Sequence, residues 1–341
     1  MGTGLVMCFY PIQVTDFELK RQDTVLLYLD NPIDLPLFTR DSGKNSFHLP
    51  PTFSHRLEYL ATQAFIPLLR LMPRRCRSAF GGCLGQLIYY IGIRTKVTKE
   101  NLHQAFPNLP SKAVSQVARR VYRHFGRVST GFVVLAKLSR NDLGTWIHVT
   151  GFDVLDEAIK SGKGGIVFSG HLGNWEIMGA IASQCGYPVT FVVASQSNVL
   201  VEDLIDRFRA SAGIEIIKRR DAIRGVLSAL QRNRLVAILI DQDAHEDGVF
   251  VPFFGRPAST PRGPSVFHLR TGSPLIFAQS TRLPGDHYRI RFVKFPTTPT
   301  ENADEITSRM SARLEAAISE TPEQWFWMHR RWKTRPPESS S

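Results

Sequence analysis

In FSGHLGNWEIMG, residues 168–179, a histidine and a glutamate stand five positions apart, His171 and Glu176, at the end of an apolar run. An imidazole held by a carboxylate is a general base, because the bond fixes the tautomer and leaves the other ring nitrogen free to take a proton. Spacing decides whether the two can meet. Inside one helix, residues five apart are separated by roughly 140° around the axis and cannot touch. The preceding GGIVF reads as a buried strand and the following IMGAIASQC as a helix, so the pair falls on a strand-to-helix turn. There Gly173 makes the turn, Asn174 caps the helix, and Glu176, in the first helical turn, can face back to His171. The same residues fit a plainer reading, with His171 hydrogen-bonded under a loop and Glu176 favoured by the helix dipole.

The surrounding elements must hold this turn in place. From residue 144 onward strand-like and helix-like stretches alternate: GGIVFSG, helix 174–184, PVTFVVA, helix 199–212, IEIIK, helix 221–231, and LVAILI ending at Asp241. This order predicts an α/β fold with a mixed, largely parallel central sheet flanked by helices, with chemistry in the loops after the strands. SGKGG at 161–165 precedes its strand and therefore reads as a turn, not a phosphate loop. DQDAHEDG at 241–248 fails the calcium-loop pattern, since Phe254 stands where glutamate is needed. There is no HExxH helix and no GxSxG elbow, so no metal, cofactor or serine nucleophile is predicted. A base without a nucleophile suggests that a substrate hydroxyl attacks directly, as in acyl transfer.

The 341 residues, 43% hydrophobic and 21% charged, suit a globular chain with one catalytic domain and appendages. Cysteines at 8, 76, 83 and 185 form no CxxC pair, which excludes a zinc ribbon or disulfide framework and fits a reducing compartment. The net charge of +12 calls for an anionic partner. Between Arg70 and Arg140 stand 14 Lys or Arg against the single acid Glu100, interleaved with AFIPLLRLM and CLGQLIYYIGI. Charges interrupt every apolar run short of the roughly 20 residues a spanning helix needs. Residues 51–143 are therefore expected to form a basic amphipathic helical region lying on an anionic membrane surface, a basic helical cap on the catalytic core being the competing reading. No nucleic-acid-binding motif is present. Residues 1–50 form an unassigned extension without signal-peptide features, 144–336 the α/β domain, and 337–341 a tail.

HLGNWE at 171–176, DQDAHEDGVFVPFFGRPASTPRG at 241–263 and PEQWFWMHRRWKTRP at 322–336 together resemble the lipid A biosynthesis acyltransferases, within the glycerolipid acyltransferase superfamily defined by a His-x4-Asp/Glu motif. The resemblance extends from about residue 52 to 336 and includes ENLHQAFPNLP at 100–110. It implies transfer of a fatty acyl chain from an acyl carrier protein or coenzyme A thioester to a hydroxyl of a glycolipid, a lipid A precursor, at the cytoplasmic face of the inner membrane. Another glycolipid or a lysophospholipid is an alternative acceptor, and a catalytically silent anionic-lipid-binding homologue an alternative role. By the resemblance His171 is the base and Glu176 its orienter. Asn174, Arg209 or its neighbour Arg207, Asp241 and Gly255 are expected at the substrate, with an arginine on donor or acceptor phosphate. Backbone N–H groups around Gly173 and Asn174 are the expected oxyanion donors. The segment with Trp325, Trp327, His329, Arg330 and Arg331 could close the site, meet the membrane interface, or pack as a C-terminal brace.

Overall fold

Two features of the sequence dominate the architecture: β-branched runs too apolar to face water on either side, and helices of which most have a single apolar face. The computed structural model describes residues 52–337, so the extension 1–50 and nearly all of the tail lie outside the described residues. Four helices come first: α1 (Phe53–Leu71), α2 (Arg74–Ile91), α3 (Thr95–Ala105) and α4 (Ser111–Gly131). The α/β part follows as β1 (Ile147–Thr150), α5 (Phe152–Lys160), β2 (Gly165–Ser169), α6 (Trp175–Gln184), β3 (Val189–Val193), α7 (Val199–Ser211), β4 (Glu215–Lys218), α8 (Ala222–Gln231) and β5 (Leu235–Leu239). A hairpin of β6 (Val249–Phe253) and β7 (Arg256–Thr260), then α9 (Gly263–Thr271), β8 (Leu275–Leu283), β9 (His287–Phe295) and α10 (Ala303–Glu320) complete it.

Seven strands form one sheet in the order β1-β9-β8-β2-β5-β3-β4, parallel throughout except for the β8–β9 pair. All five residues of β2 are buried, as expected for a central strand covered on both faces. The predicted α/β class and the alternation of elements agree with this arrangement. SGKGG is the turn that closes α5, with Gly162 and Gly164 at positive φ.

The N-terminal helices divide by what covers them. In α4, Val114, Val117, Ala118, Val121, Tyr122, Phe125 and Val128 are all buried. The helix packs closely on α2: a Cβ on Gly85 would lie 1.9 Å from the Tyr122 carbonyl oxygen. The amphipathic pattern of α4 is thus spent inside the protein, as in the cap reading. On α1, Ile66 and Leu69 face inward, while Phe53, Leu57, Leu60, Leu68 and Leu71 form an exposed stripe, with Phe53 and Leu71 each 84% exposed. Leu87, Tyr90 and Ile91 on α2 are exposed as well. Among the described residues no helix is long and apolar enough to cross a membrane.

Candidate active site

β2 and β5 are parallel neighbours, paired with Ser169 opposite Leu239. Two residues further along each chain stand His171 and Asp241, so sheet register alone brings them level beyond the strand ends, where α/β sheets place their sites. His171 Nδ1–H donates to Asp241 Oδ1 at 2.8 Å. Asp241 Oδ2 accepts two further bonds, from the His171 backbone N–H at 2.6 Å and from Trp325 Nε1–H at 2.7 Å. Burial alone would raise the Asp241 carboxyl, but the charge of His171 and these hydrogen bonds outweigh it and hold the group below its usual range. It is therefore an anion that fixes the Nδ1–H tautomer and leaves Nε2 basic. Trp175 packs edge-on against the imidazole with ring centroids 4.7 Å apart, and Phe326 lies at 6.0 Å.

The expected His171–Glu176 bond is not formed. Glu176 sits in the first turn of α6, capped by Asn174, but its carboxylate turns to Arg209 on α7. Arg209 donates from Nη2 to Oε1 at 2.6 Å and from Nε to Oε2 at 3.1 Å, and Trp175 Nε1–H adds a third bond at 3.1 Å. A nearly fully buried carboxylate needs a cation, and Arg209 of α7 supplies it. The network continues from Arg209 to Asp206 at 3.4 Å, and Lys218 binds both Asp206 and Glu202, so α6, α7 and β4 are tied by one chain of charges. Sequence reasoning takes Asp241 for a substrate contact and Glu176 for the partner of His171, whereas in the structure His171 bonds Asp241 and Glu176 bonds Arg209.

The other predicted residues divide in the same way. Arg209 borders the cavity, but its guanidinium is engaged by Glu176 and Asp206 instead of being held for a phosphate. Arg207 is exposed on the outer side of α7 and borders no part of the cavity. Asn174 is buried as a helix cap, its Oδ1 accepting from the Ile177 N–H at 3.1 Å. Gly255 is the positive-φ tip of the β6–β7 hairpin, away from the cavity wall. Phe253 is core, packed on Trp325 and Trp332.

The C-terminal block braces the catalytic turn. The Gly173 N–H donates to the Gln324 carbonyl at 2.9 Å and the Phe326 N–H to the His171 carbonyl at 3.2 Å. Gly173 has φ +63°, and a Cβ there would lie 1.9 Å from the Ser280 carbonyl oxygen, so only glycine fits. From α4, His124 Nε2–H donates to the Gly173 carbonyl at 2.9 Å, while its Nδ1 accepts from Arg282 at 3.3 Å. Burial, reinforced by Arg282, pushes the His124 imidazole down to about 3, so it stays neutral. His124 carried no sequence signal, because its partner is a backbone carbonyl far along the chain. This bracing uses up the expected oxyanion donors. The N–H groups of His171, Leu172, Gly173 and Asn174 go to Asp241, the Gly170 carbonyl, the Gln324 carbonyl and Ser280 Oγ respectively.

His171 opens onto a cavity of about 850 Å³, within the range of small-molecule sites. Met178, Ala182, Phe191, Val226 and Leu235 supply apolar wall, and Arg94, Arg330, Lys333 and His329 also border it. Cys76, Cys83 and Cys185 do not border it, and Ser169, which does, donates its hydroxyl to the Ala278 carbonyl at 2.7 Å.

Residues 49–334 match the sequence profile described as bacterial lipid A biosynthesis acyltransferase. The chain belongs to that family. It is an acyltransferase of the lipid A and glycolipid type. Among its relatives, the lipid A biosynthesis palmitoleoyltransferase of Escherichia coli K12 is 28% identical over 254 residues, 73% of this chain and 81% of that protein. The lipid A biosynthesis lauroyltransferase of the same organism is 26% identical over 267 residues, 75% and 85% of the two chains. The phosphatidylinositol mannoside acyltransferase of Mycolicibacterium smegmatis is 25% identical over 241 residues, 69% and 78%.

Proposed function

We propose that this acyltransferase moves a fatty acyl chain from an acyl carrier protein or coenzyme A thioester to a hydroxyl of a lipid A precursor, with His171 as general base and Asp241 as the group that orients it. The observation that carries this is the His171–Asp241 bond, with His171 bordering a cavity that apolar side chains and Arg94, Arg330 and Lys333 line. His171 Nε2 takes the proton of the acceptor hydroxyl as its oxygen attacks the thioester carbon. The tetrahedral intermediate then collapses, and the thiolate leaves with the proton from His171. The apolar wall suits the acyl chain, and Arg94, Arg330 and Lys333 suit a phosphate on donor or acceptor. Glu176 acts through Arg209, holding α6 and α7 at the spacing that shapes the wall.

The exposed stripe of α1 and the exposed Leu87, Tyr90 and Ile91 of α2 suit a bilayer surface, with the exposed Arg56 and Arg75 on the same helices for anionic headgroups. A peripheral position at the inner membrane would place the cavity beside a lipid acceptor. The similarity to phosphatidylinositol mannoside acyltransferases favours a second reading in which the acceptor is a glycosylated phospholipid. Mass spectrometry of lipids from a bacterial host lacking its own late acyltransferase, with and without this chain, tests both. A lipid A species heavier by one acyl group, absent with His171→Ala, is expected. An added acyl group on a glycophospholipid selects the second reading, and unchanged lipids refute both.

A further inference from the structure

The backbone N–H groups of His171, Leu172, Gly173 and Asn174 are all engaged, so none of these four serves the oxyanion that thioester attack must create. A donor outside these four is needed, since an uncompensated oxyanion in such a site would raise the barrier steeply. His329 has the right chemistry. Its backbone is held from α3: Asn101 Nδ2 donates to the Trp327 carbonyl at 2.8 Å and to the His329 carbonyl at 2.6 Å, and Arg94 donates to the intervening Met328 carbonyl at 3.3 Å. Its ring Nε2 accepts the Asp243 backbone N–H at 3.0 Å. An imidazole that accepts at Nε2 and is neutral must carry its proton on Nδ1.

Neutrality follows from the surroundings. Burial lowers the His329 imidazole to about 4; Asp241 opposes this, while His171, Arg331 and Arg94 reinforce it. Both histidines border the cavity, and the charges of Asp241 and His171 both act on the His329 ring. Among the described residues nothing accepts from His329 Nδ1. A neutral N–H donor with a fixed tautomer therefore borders the same cavity as the base, two residues from the arginine that Ser259 and Thr260 hold in the core.

Resting on the acyl-transfer reading, we propose that His329 donates its Nδ1–H to the thioester carbonyl oxygen as that oxygen becomes an anion. The acceptor oxygen–carbon bond forms, the hydroxyl proton passes to His171, and the carbonyl π pair moves onto the oxygen held by His329. On collapse the C=O bond re-forms and the C–S bond breaks. The thiolate takes the proton from His171, and His329 keeps its own throughout.

Two amides separate this role from that of a mere anchor for Asp243. In His329→Asn the side-chain N–H₂ falls near the place of Nδ1 and the Nε2 acceptor is lost, whereas in His329→Gln the amide falls near Nε2 and the cavity donor is lost. Thiol release from palmitoyl coenzyme A, with a lipid A precursor as acceptor, gives kcat and KM for each, with melting temperatures confirming that both are folded. His329→Gln should lower kcat by about 10² to 10³ with KM for the thioester changed less than threefold, and His329→Asn should retain at least tenfold more kcat than His329→Gln. Equal kcat values, the reverse ranking, or a loss confined to KM overturns the proposal while leaving acyl transfer standing. A wild-type protein that releases no thiol from either the coenzyme A or the acyl carrier protein thioester, with this acceptor or with a phosphatidylinositol mannoside, overturns the acyl-transfer reading itself.

Discussion

Replacing Asp241 by asparagine should damage catalysis far more than replacing Glu176 by glutamine, and the reason lies in how many donors each carboxylate serves. Asp241 accepts three hydrogen bonds, two on Oδ2 and one on Oδ1. An asparagine has a single oxygen. With that oxygen facing the His171 and Trp325 N–H groups, its amide nitrogen faces His171 Nδ1 and donates to it. The imidazole is then driven to the Nε2–H tautomer, which cannot accept the hydroxyl proton. Loss of the correct tautomer in a histidine–aspartate pair costs about 10⁴ in kcat, which is ~5.5 kcal/mol of barrier. KM should change little, because Asp241 is covered by His171 and Trp325. Glu176→Gln instead removes one charge from a buried ion pair, a loss of about 3 kcal/mol of stability, at the low end because Arg209 keeps Asp206. Steady-state thiol release and thermal melts on both variants, assayed well below either melting temperature, separate the two effects. An Asp241→Asn kcat within tenfold of wild type, or a Glu176→Gln protein that melts normally but is 10³-fold slower, would refute the assignment and return Glu176 to the histidine.

Acid should unfold the protein through His124 and His329. Their folded values of about 3 and about 4 lie below the ordinary 6.5, so between these limits the unfolded chain binds the extra proton. Stability is complete above 6.5 and falls by about 1.4 kcal/mol per pH unit for each histidine as pH drops. Urea midpoints at pH 7, 6 and 5 should fall less steeply in His124→Gln than in wild type, and parallel slopes would show that His124 is not neutral in the fold. At the exposed stripe, changing Leu57, Leu60 and Leu68 together to aspartate should abolish cosedimentation with anionic vesicles without lowering the melting temperature, and added salt should weaken wild-type binding only in part. Binding that survives the triple change would remove α1 as the membrane contact.

Local chemistry made the strand, the turn and the helix around His171 legible in the sequence. A β-branched run, a glycine that alone tolerates the turn and an asparagine that caps the next helix are all short-range effects, and they fix where the imidazole leaves the sheet. They do not fix which carboxylate it meets. Glu176 is five residues away and was the natural choice, yet the parallel register of β2 and β5 delivers Asp241, 70 residues distant, while α7 delivers Arg209 to Glu176. The amphipathic helices show the same division. α1 and α4 both interleave basic and apolar residues, and nothing local to either says that α2 will bury the face of α4 and leave the outer face of α1 bare. Hydrogen bonding and helix propensity act between near neighbours and can be read along the chain. Desolvation of a charge or an apolar face depends on what the folded chain brings against it, and only the tertiary structure supplies that partner.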